Sequence, residues 1–357
     1  MTSGPTAAII TLGRDQGLGE LRRVESWQMI LSKAGFRPTV IRLRRDCRPS
    51  LRRRPDLASV IAGTAPPETL SWSPAAARAR LSTIEPTVSI FVTLRAFVPG
   101  LVDPAGTAVL DFVDQLSVSY ADRAVISDRW WSRQRFRLLA AAMRRVEEHQ
   151  SRDVIQVAAG RADAEVLDAL WFPNVMDIPE PEHQASPTHD LVFFGNLAYP
   201  PNIAAVIQLC DWWDDVQRTR PGTSLLITGR NPTARVVAAA RSMGADLEPG
   251  FADPISAARR ARVAVSPLAH VAGIQNKVIE AAAAGVPQVL TPEALSGLPR
   301  GFPCMVAATG DLFAQAINAL LERPESRHQL AAAARTMASQ VFSPTEQASR
   351  LLEALTR

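Results

Sequence analysis

The chain has 357 residues, 47% of them hydrophobic and 21% charged, the proportions of a folded globular protein and too many residues for one ordinary domain. No apolar run approaches the roughly 18 residues that a membrane-spanning helix needs. Cys47, Cys210 and Cys304 lie far apart and the histidines are scattered, which excludes a disulfide framework and argues against a structural zinc site.

The net charge of +4 rests on arginine, because lysine occurs only at positions 33 and 277. Arg42, Arg44, Arg45, Arg48, Arg52, Arg53 and Arg54 are opposed locally only by Asp46. The Arg42–Arg54 stretch therefore reads either as a solvated surface segment or as a peripheral contact for an anionic membrane face or a phosphorylated acceptor. It carries no interleaved aromatic residues, so nucleic acid is not expected as a partner.

In chain order, Ala7 to Leu12 reads as a buried strand that follows an N-terminus without a positively charged segment, so no secretory signal is expected and the location is expected to be cytoplasmic. Glu20 to Ala34 is a helix with an apolar stripe through Leu21, Val24, Trp27, Ile30 and Leu31, closed by Gly35. Thr39 to Leu43, Val88 to Leu94, Thr107 to Val113 and Asp153 to Ala158 are further strands, with a long arginine-rich helical region from about Ala121 to Gln150. Pro173, Pro179, Pro181 and Pro187 then mark a hinge. A second series has strands at Leu191 to Phe194, Ser224 to Thr228, Val263 to Ser266, Val286 to Leu290 and Met305 to Ala307. Its helices lie near Asn202 to Arg218, Pro232 to Met243, Ser256 to Ala261, Gln275 to Ala284, Leu312 to Glu322 and Pro324 to Gln340. Ser343 to Thr356 is a last amphipathic helix. Strands alternating with helices imply parallel sheets covered on both faces.

The densest chemical signal runs from Ser266 to Pro292. A strand ends, a glycine-containing loop follows, a helix begins near Gln275, and Gly285 closes it before the next strand. Ligands of open α/β sheets sit at this carboxyl edge, and a helix amino end favours a diphosphate. Lys277 in the first turn opposes the helix dipole unless an anion lies there, which hints at an anionic ligand. The bland alternative for Lys277 and Glu280 is an exposed intrahelical ion pair.

The segment Gly273-Ile-Gln-Asn-Lys-Val-Ile-Glu-Ala281 resembles the donor motif of glycosyltransferase family 4 and its group 1 relatives, especially bacterial sugar transferases reading Gly-Ile-Gln-Asn-Lys-Val-Leu-Glu-Ala. Phe193-Phe-Gly-Asn196, Tyr199-Pro-Pro-Asn-Ile203, Thr228-Gly-Arg-Asn-Pro232, Val109-Leu-Asp-Phe-Val-Asp-Gln-Leu-Ser117 and Pro173-Asn-Val-Met-Asp177 agree in order. The resemblance is specific from about residue 107 to 300 and only general before that. It implies an α/β GT-B fold, two Rossmann-like domains facing each other across a cleft. Residues 1–175 would form an acceptor-side domain, 176–190 a hinge, 191–342 a nucleotide-sugar domain and 343–357 a helix crossing back.

It further implies that Glu280 accepts hydrogen bonds from the donor ribose, that Lys277 and Arg230 pair with the diphosphate, and that Gly273, Ile274, Gln275 and Asn276 face the phosphates or sugar. Gly195 and Asn196 would line the opposite wall. Gly17 and Gly19 would let the backbone approach the donor, and His270 is either a diphosphate contact or a surface-loop residue. Asp114 is either a sugar-contacting group or general base, or a helix cap with Ser117; Asp111 and Asp114 both end a strand at the sheet edge. Arg230 alternatively belongs to a turn that enters a helix with Pro232 in its first turn, and Asn202 reads as a helix cap. Two positions depart from the family pattern: Ala272 stands where a first carboxylate is frequent, and Tyr199-Pro-Pro-Asn202 where an Arg/Lys pair is.

The implied reaction is transfer of a sugar from a nucleotide-diphosphate sugar to a hydroxyl of a small-molecule, polysaccharide or lipid-linked acceptor, with retention and with neither metal nor cofactor. An epimerase or phosphorylase on the same fold and a non-catalytic glycosyltransferase partner subunit are the rival readings.

Overall fold

A computed structural model describes residues 4–12, 18–45, 58, 60, 62–63, 65–66, 72–97, 101–102, 106–127, 129–149, 154–179, 186–269 and 273–356. The chain divides into two compact units, Met1–Met176 with Pro344–Arg357, and Asp177–Ser343.

In the first unit β1 (Thr6–Leu12), α1 (Leu18–Lys33), β2 (Arg37–Arg45), β3 (Trp72–Ser73), α2 (Pro74–Ile84), β4 (Val88–Val92) and β5 (Thr107–Asp111) are followed by α3 (Leu116–Ile126), α4 (Trp130–Glu148), β6 (Ile155–Ala158), α5 (Arg161–Val166) and β7 (Leu170–Trp171). Among the described residues the sheet order is β3-β2-β1-β4-β5-β6-β7, parallel except for the short β2/β3 pair. Fully buried β1 and β4 have almost no polar side chains to expose, as a strand covered on both faces requires. Gly35 at φ 87° ends α1, and the Phe36 N–H donates to the Leu31 carbonyl at 2.9 Å, a glycine-assisted helix stop. The last helix, α13 (Pro344–Leu355), inserts Leu351 into the core formed by Trp27, Ile30 and Phe172. The Arg350 guanidinium lies 5.4 Å from the Phe172 ring centroid.

The second unit runs β8 (His189–Asn196), α6 (Pro200–Asp211), α7 (Trp213–Thr219), β9 (Leu225–Arg230), α8 (Ala234–Ser242), β10 (Asp246–Pro249), α9 (Pro254–Arg259), β11 (Ala261–Ser266), α10 (Asn276–Ala283), β12 (Gln288–Leu290), β13 (Met305–Val306), α11 (Gly310–Glu322) and α12 (Pro324–Val341). Its all-parallel sheet has the order β10-β9-β8-β11-β12-β13 among the described residues.

Several elements differ from the sequence reading. The arginine-rich region is two helices, α3 and α4, separated where Ser127 takes extended φ and ψ, and Asn202 to Arg218 is likewise split into α6 and α7. β10 escapes notice because Asp-Leu-Glu-Pro is short and polar, and a terminal proline is tolerated at a sheet edge. Of the arginine cluster, Arg42 is exposed on β2, and residues 46–54 lie outside the described residues.

Candidate functional site

Strand order reverses about β8 and β11 in the second sheet, and the crevice outside the carboxyl ends of such a pair is where an open α/β sheet receives a ligand. The sequence removes side chains there. Gly195 and Gly229 are register partners at the ends of β8 and β9. A Cβ on Gly229 would meet the Gly195 carbonyl oxygen at 1.8 Å, and one on Gly195, whose φ is 149°, would stand 3.0 Å from Asn202 Nδ2 and 3.5 Å from Lys277 Nζ.

Lys277 packs against this close approach of the two strand ends. Its side chain is only 8% exposed, its Nζ donates to Asn202 Oδ1 at 2.5 Å, and the ammonium stands 4.2 Å from the Phe193 ring centroid. Asn202 is thereby identified as a partner of Lys277 and not a helix cap. Its Nδ2 donates to the Asn196 carbonyl at 2.8 Å, while the N-cap of α6 is Tyr199. Burial pulls the lysine pKa down to about 7, an effect partly opposed by the nearby Glu280 charge. An ammonium this short of compensating charge is held ready for an anion. Glu280, one turn further along α10, is also 8% exposed, so the exposed ion pair considered from sequence is not what forms.

The loop between β11 and α10 is pinned from below. Thr291 Oγ1 donates to the Leu268 carbonyl at 2.6 Å, and Gln288 Nε2 donates to the Val278 carbonyl at 2.9 Å. Gly297 packs so closely that a Cβ would lie 2.3 Å from the Gly273 carbonyl oxygen. Gly273 itself has φ 70°, where a side chain is strained. Gln275, the N-cap, makes no side-chain capping bond. Ile274 is buried, whereas Gln275 and Asn276 are half-buried.

Arg230 is exposed at the end of β9, and the turn after it needs Asn231 at φ 55°. Pro232 precedes α8 and does not start it; the N-cap is Thr233, whose hydroxyl accepts from the Val236 N–H. Gly17 and His270 lie outside the described residues, and Gly19 is exposed in the first turn of α1.

At the carboxyl edge of the first sheet the two aspartates separate in role. Asp111 is fully buried and binds Arg23 through both oxygens, at 2.6 Å to Nε and 3.1 Å to Nη2, while Trp27 Nε1 donates to it at 2.6 Å. This is a structural ion pair, a correction to its expected position on an open edge. Asp114, half-buried just beyond β5, has its pKa raised to about 6 by burial and by the Asp163 charge, against Arg95 and Arg123. The capping alternative for Asp114 with Ser117 is not realised, since the N-cap of α3 is Gln115; Ser117 N–H donates to Glu147 Oε1 at 3.0 Å. Two residues unread in the sequence lie nearby. Thr93, buried at φ 70°, and Arg95 have Oγ1 and Nε atoms that are buried without hydrogen-bond partners among the described residues. Among the described residues no group of three or more His, Cys, Asp or Glu side chains is arranged to hold a metal ion.

The sequence profile described as glycosyl transferases group 1 matches residues 188–323. A search of curated protein sequences finds no significant match. Among solved structures, Anabaena HepE in complex with UDP is 14% identical, with a TM-score of 0.65 over 98% of this chain and 99% of that one. The sucrose-phosphate synthase of Thermosynechococcus elongatus is 13% identical, with a TM-score of 0.66 over 98% of both chains. Staphylococcus aureus TarM, crystallised with UDP, is 12% identical, with a TM-score of 0.56 over 75% of this chain and 55% of that one. The chain has the α/β GT-B fold of these structures, and residues 188–323 of its second unit are similar to group 1 glycosyl transferases.

Proposed function

We propose that the protein transfers a sugar from a nucleotide-diphosphate sugar to a hydroxyl acceptor, with the donor held on the second unit. The observation that carries this reading is Lys277: a buried ammonium bonded to Asn202 beside the close-packed strand ends at Gly195 and Gly229, one turn before a buried carboxylate. In this reading the diphosphate rests against the amino end of α10 and the backbone of Gly273 to Asn276, with Lys277 and Arg230 neutralising it. Glu280, acceptor-only when ionised, takes the two ribose hydroxyls. Asn196 borders the pocket.

The leaving diphosphate gains negative charge as the glycosidic bond breaks, and donors already in place stabilise it without a metal or a protein nucleophile. The acceptor hydroxyl needs its proton removed or shared, and Asp114 on the first unit is the carboxylate proposed for that contact. Retention of anomeric configuration belongs to the same proposal.

Calorimetric titration with UDP, dTDP, GDP and ADP, in buffer and in chelator, tests the donor assignment. Saturable binding of one of them, unchanged by chelator and weakened by Lys277→Met, is expected. No binding of any of the four would overturn it.

A further inference from the structure

Outside that site, the surface of α4 combines exposed aromatic side chains with a run of arginines bounded in sequence by Asp128 on one side and by Glu147 and Glu148 on the other. From Arg129 through Val146 the sequence holds six arginines and no acidic residue. The buried side of α4 is Ala140, Met143 and Val146. Its outer side leaves Trp130 75%, Trp131 49% and Leu138 72% exposed, and Val125 on neighbouring α3 is 79% exposed.

Helical spacing sorts these residues. Trp131, Arg135, Leu138 and Ala142 recur at three and four residues and share one stripe, forming a shallow apolar hollow. On the flank facing α3, Arg133, Arg137 and Arg144 rim a groove of about 550 Å³ whose floor is Ala121, Ala124 and Val125. Arg135, Arg137 and Arg144 form no ion pair among the described residues, and the Arg129 guanidinium lies 5.8 Å from the Trp131 ring centroid.

A helix that only faced water would not place two indoles and a leucine outward. One that bound a soluble polyanion would need the arginines but not Leu138 or Val125. Indoles at headgroup depth, aliphatic side chains below them and guanidinium groups on phosphates together suit a bilayer interface.

We propose that α4, with the adjoining end of α3, docks the protein onto a bilayer carrying anionic phospholipid headgroups. Trp130, Trp131 and Leu138 enter the interface, while Arg133, Arg135, Arg137 and Arg144 pair with lipid phosphates. This helix is separate in sequence from the Arg42–Arg54 stretch, and the docking does not depend on the donor assignment.

Co-sedimentation of the full chain with vesicles of phosphatidylcholine, with and without phosphatidylglycerol, tests it. Binding is expected only to the vesicles containing phosphatidylglycerol. Arg135→Glu with Arg137→Glu should weaken it by at least about fivefold for each arginine removed. Trp131→Ser with Leu138→Ser should weaken it by about tenfold or more at unchanged charge. Both pairs alter exposed positions, so circular dichroism and melting temperature should match the parent. No sedimentation with either vesicle would overturn the proposal, as would sedimentation that neither variant pair weakens. So would capture by a soluble polyanion or a second copy of the chain while vesicles stay unbound.

Discussion

Replacing Lys277 by methionine separates its energetic cost from its function. Methionine approximates the lysine stem in volume, so the chief loss is the ammonium, with its place over the Phe193 ring and its bond to Asn202 Oδ1. With a folded-state pKa pulled down to about 7 against about 10.4 in the unfolded chain, keeping the buried amine protonated costs about 4 kcal/mol near neutral pH. The unfolded chain binds more protons between those two values, so this group makes parent stability rise as pH climbs from about 7 towards 10. Below 7 both states are charged and the full cost remains. Lys277→Met should flatten that slope and raise the melting temperature most at pH 6 to 7, less whatever the unpartnered Asn202 oxygen costs, roughly 1 to 3 kcal/mol.

Nucleotide binding should respond in the opposite way. A diphosphate against Lys277 keeps it protonated, so the complex takes up a proton where the free protein has none. If the bound lysine stays charged, affinity falls by about 25-fold between roughly pH 6.5 and 8.5. The variant should bind about 10- to 150-fold more weakly at low pH, as the loss of charge-assisted hydrogen bonds predicts, with little remaining pH dependence. Titration calorimetry across that range, paired with thermal melts, measures both limbs. Unchanged affinity in the variant, or an equally steep pH dependence in both proteins, would refute the assignment of Lys277 to the phosphate.

Glu280→Gln should weaken a ribonucleoside diphosphate by about tenfold while leaving its 2′-deoxy counterpart less affected, because a carboxylate bonded to both hydroxyls loses less when one is already absent; competition titration of the two nucleotides reads the difference. Gly229→Ala forces a Cβ onto the Gly195 carbonyl and should lower stability by about 2 to 3 kcal/mol while displacing the strand end beside Lys277, seen together as a lower melting temperature and weaker nucleotide binding. Asp111→Asn strips the buried Arg23 of its counter-charge and should destabilise the first unit by about 3 to 5 kcal/mol with nucleotide binding to the second unit unchanged, as denaturant unfolding would show. Asp114, raised to about 6, is a carboxylate above that pH, so turnover that uses it as a base should fall as pH drops through 6. Asp114→Asn should reduce kcat by about 100-fold or more without moving donor affinity.

The parts of the fold that could be read from the residues are those where backbone pattern and burial agree. Leu191–Phe194 in β8, Leu225–Ile227 in β9 and Val263–Val265 in β11 are apolar runs closed by glycine or small polar residues, and Gly285 at φ 71° stops α10 where the glycine stands in the sequence. Boundaries fail where local propensity does not decide them: Ser127 interrupts a continuous arginine-rich pattern only because α3 and α4 pack side by side, and β10 exists only because β9 offers an edge.

Candidate side chains near α10 were nameable because their spacing carries the chemistry, but their setting was not. Nothing in the residue order announces that Asn202 turns its amide from its own helix to Lys277, or that the lysine is dry enough to titrate near neutrality. One clue was available: Phe194-Gly-Asn and Thr228-Gly-Arg each end a buried strand with a glycine before a polar residue. Because β8 and β9 pair in register, those two glycines meet, and the absence of two side chains lets the strand ends and the Asn202 and Lys277 side chains approach closely at one point on the sheet edge. The first unit offers no comparable clue for Arg95 or Thr93, since their unpartnered polar atoms arise from a buried turn at φ 70° that only the tertiary packing imposes. A close approach of two strand ends can be read from sequence once strand register is known; the orientation of buried polar groups cannot be read until the chain is folded.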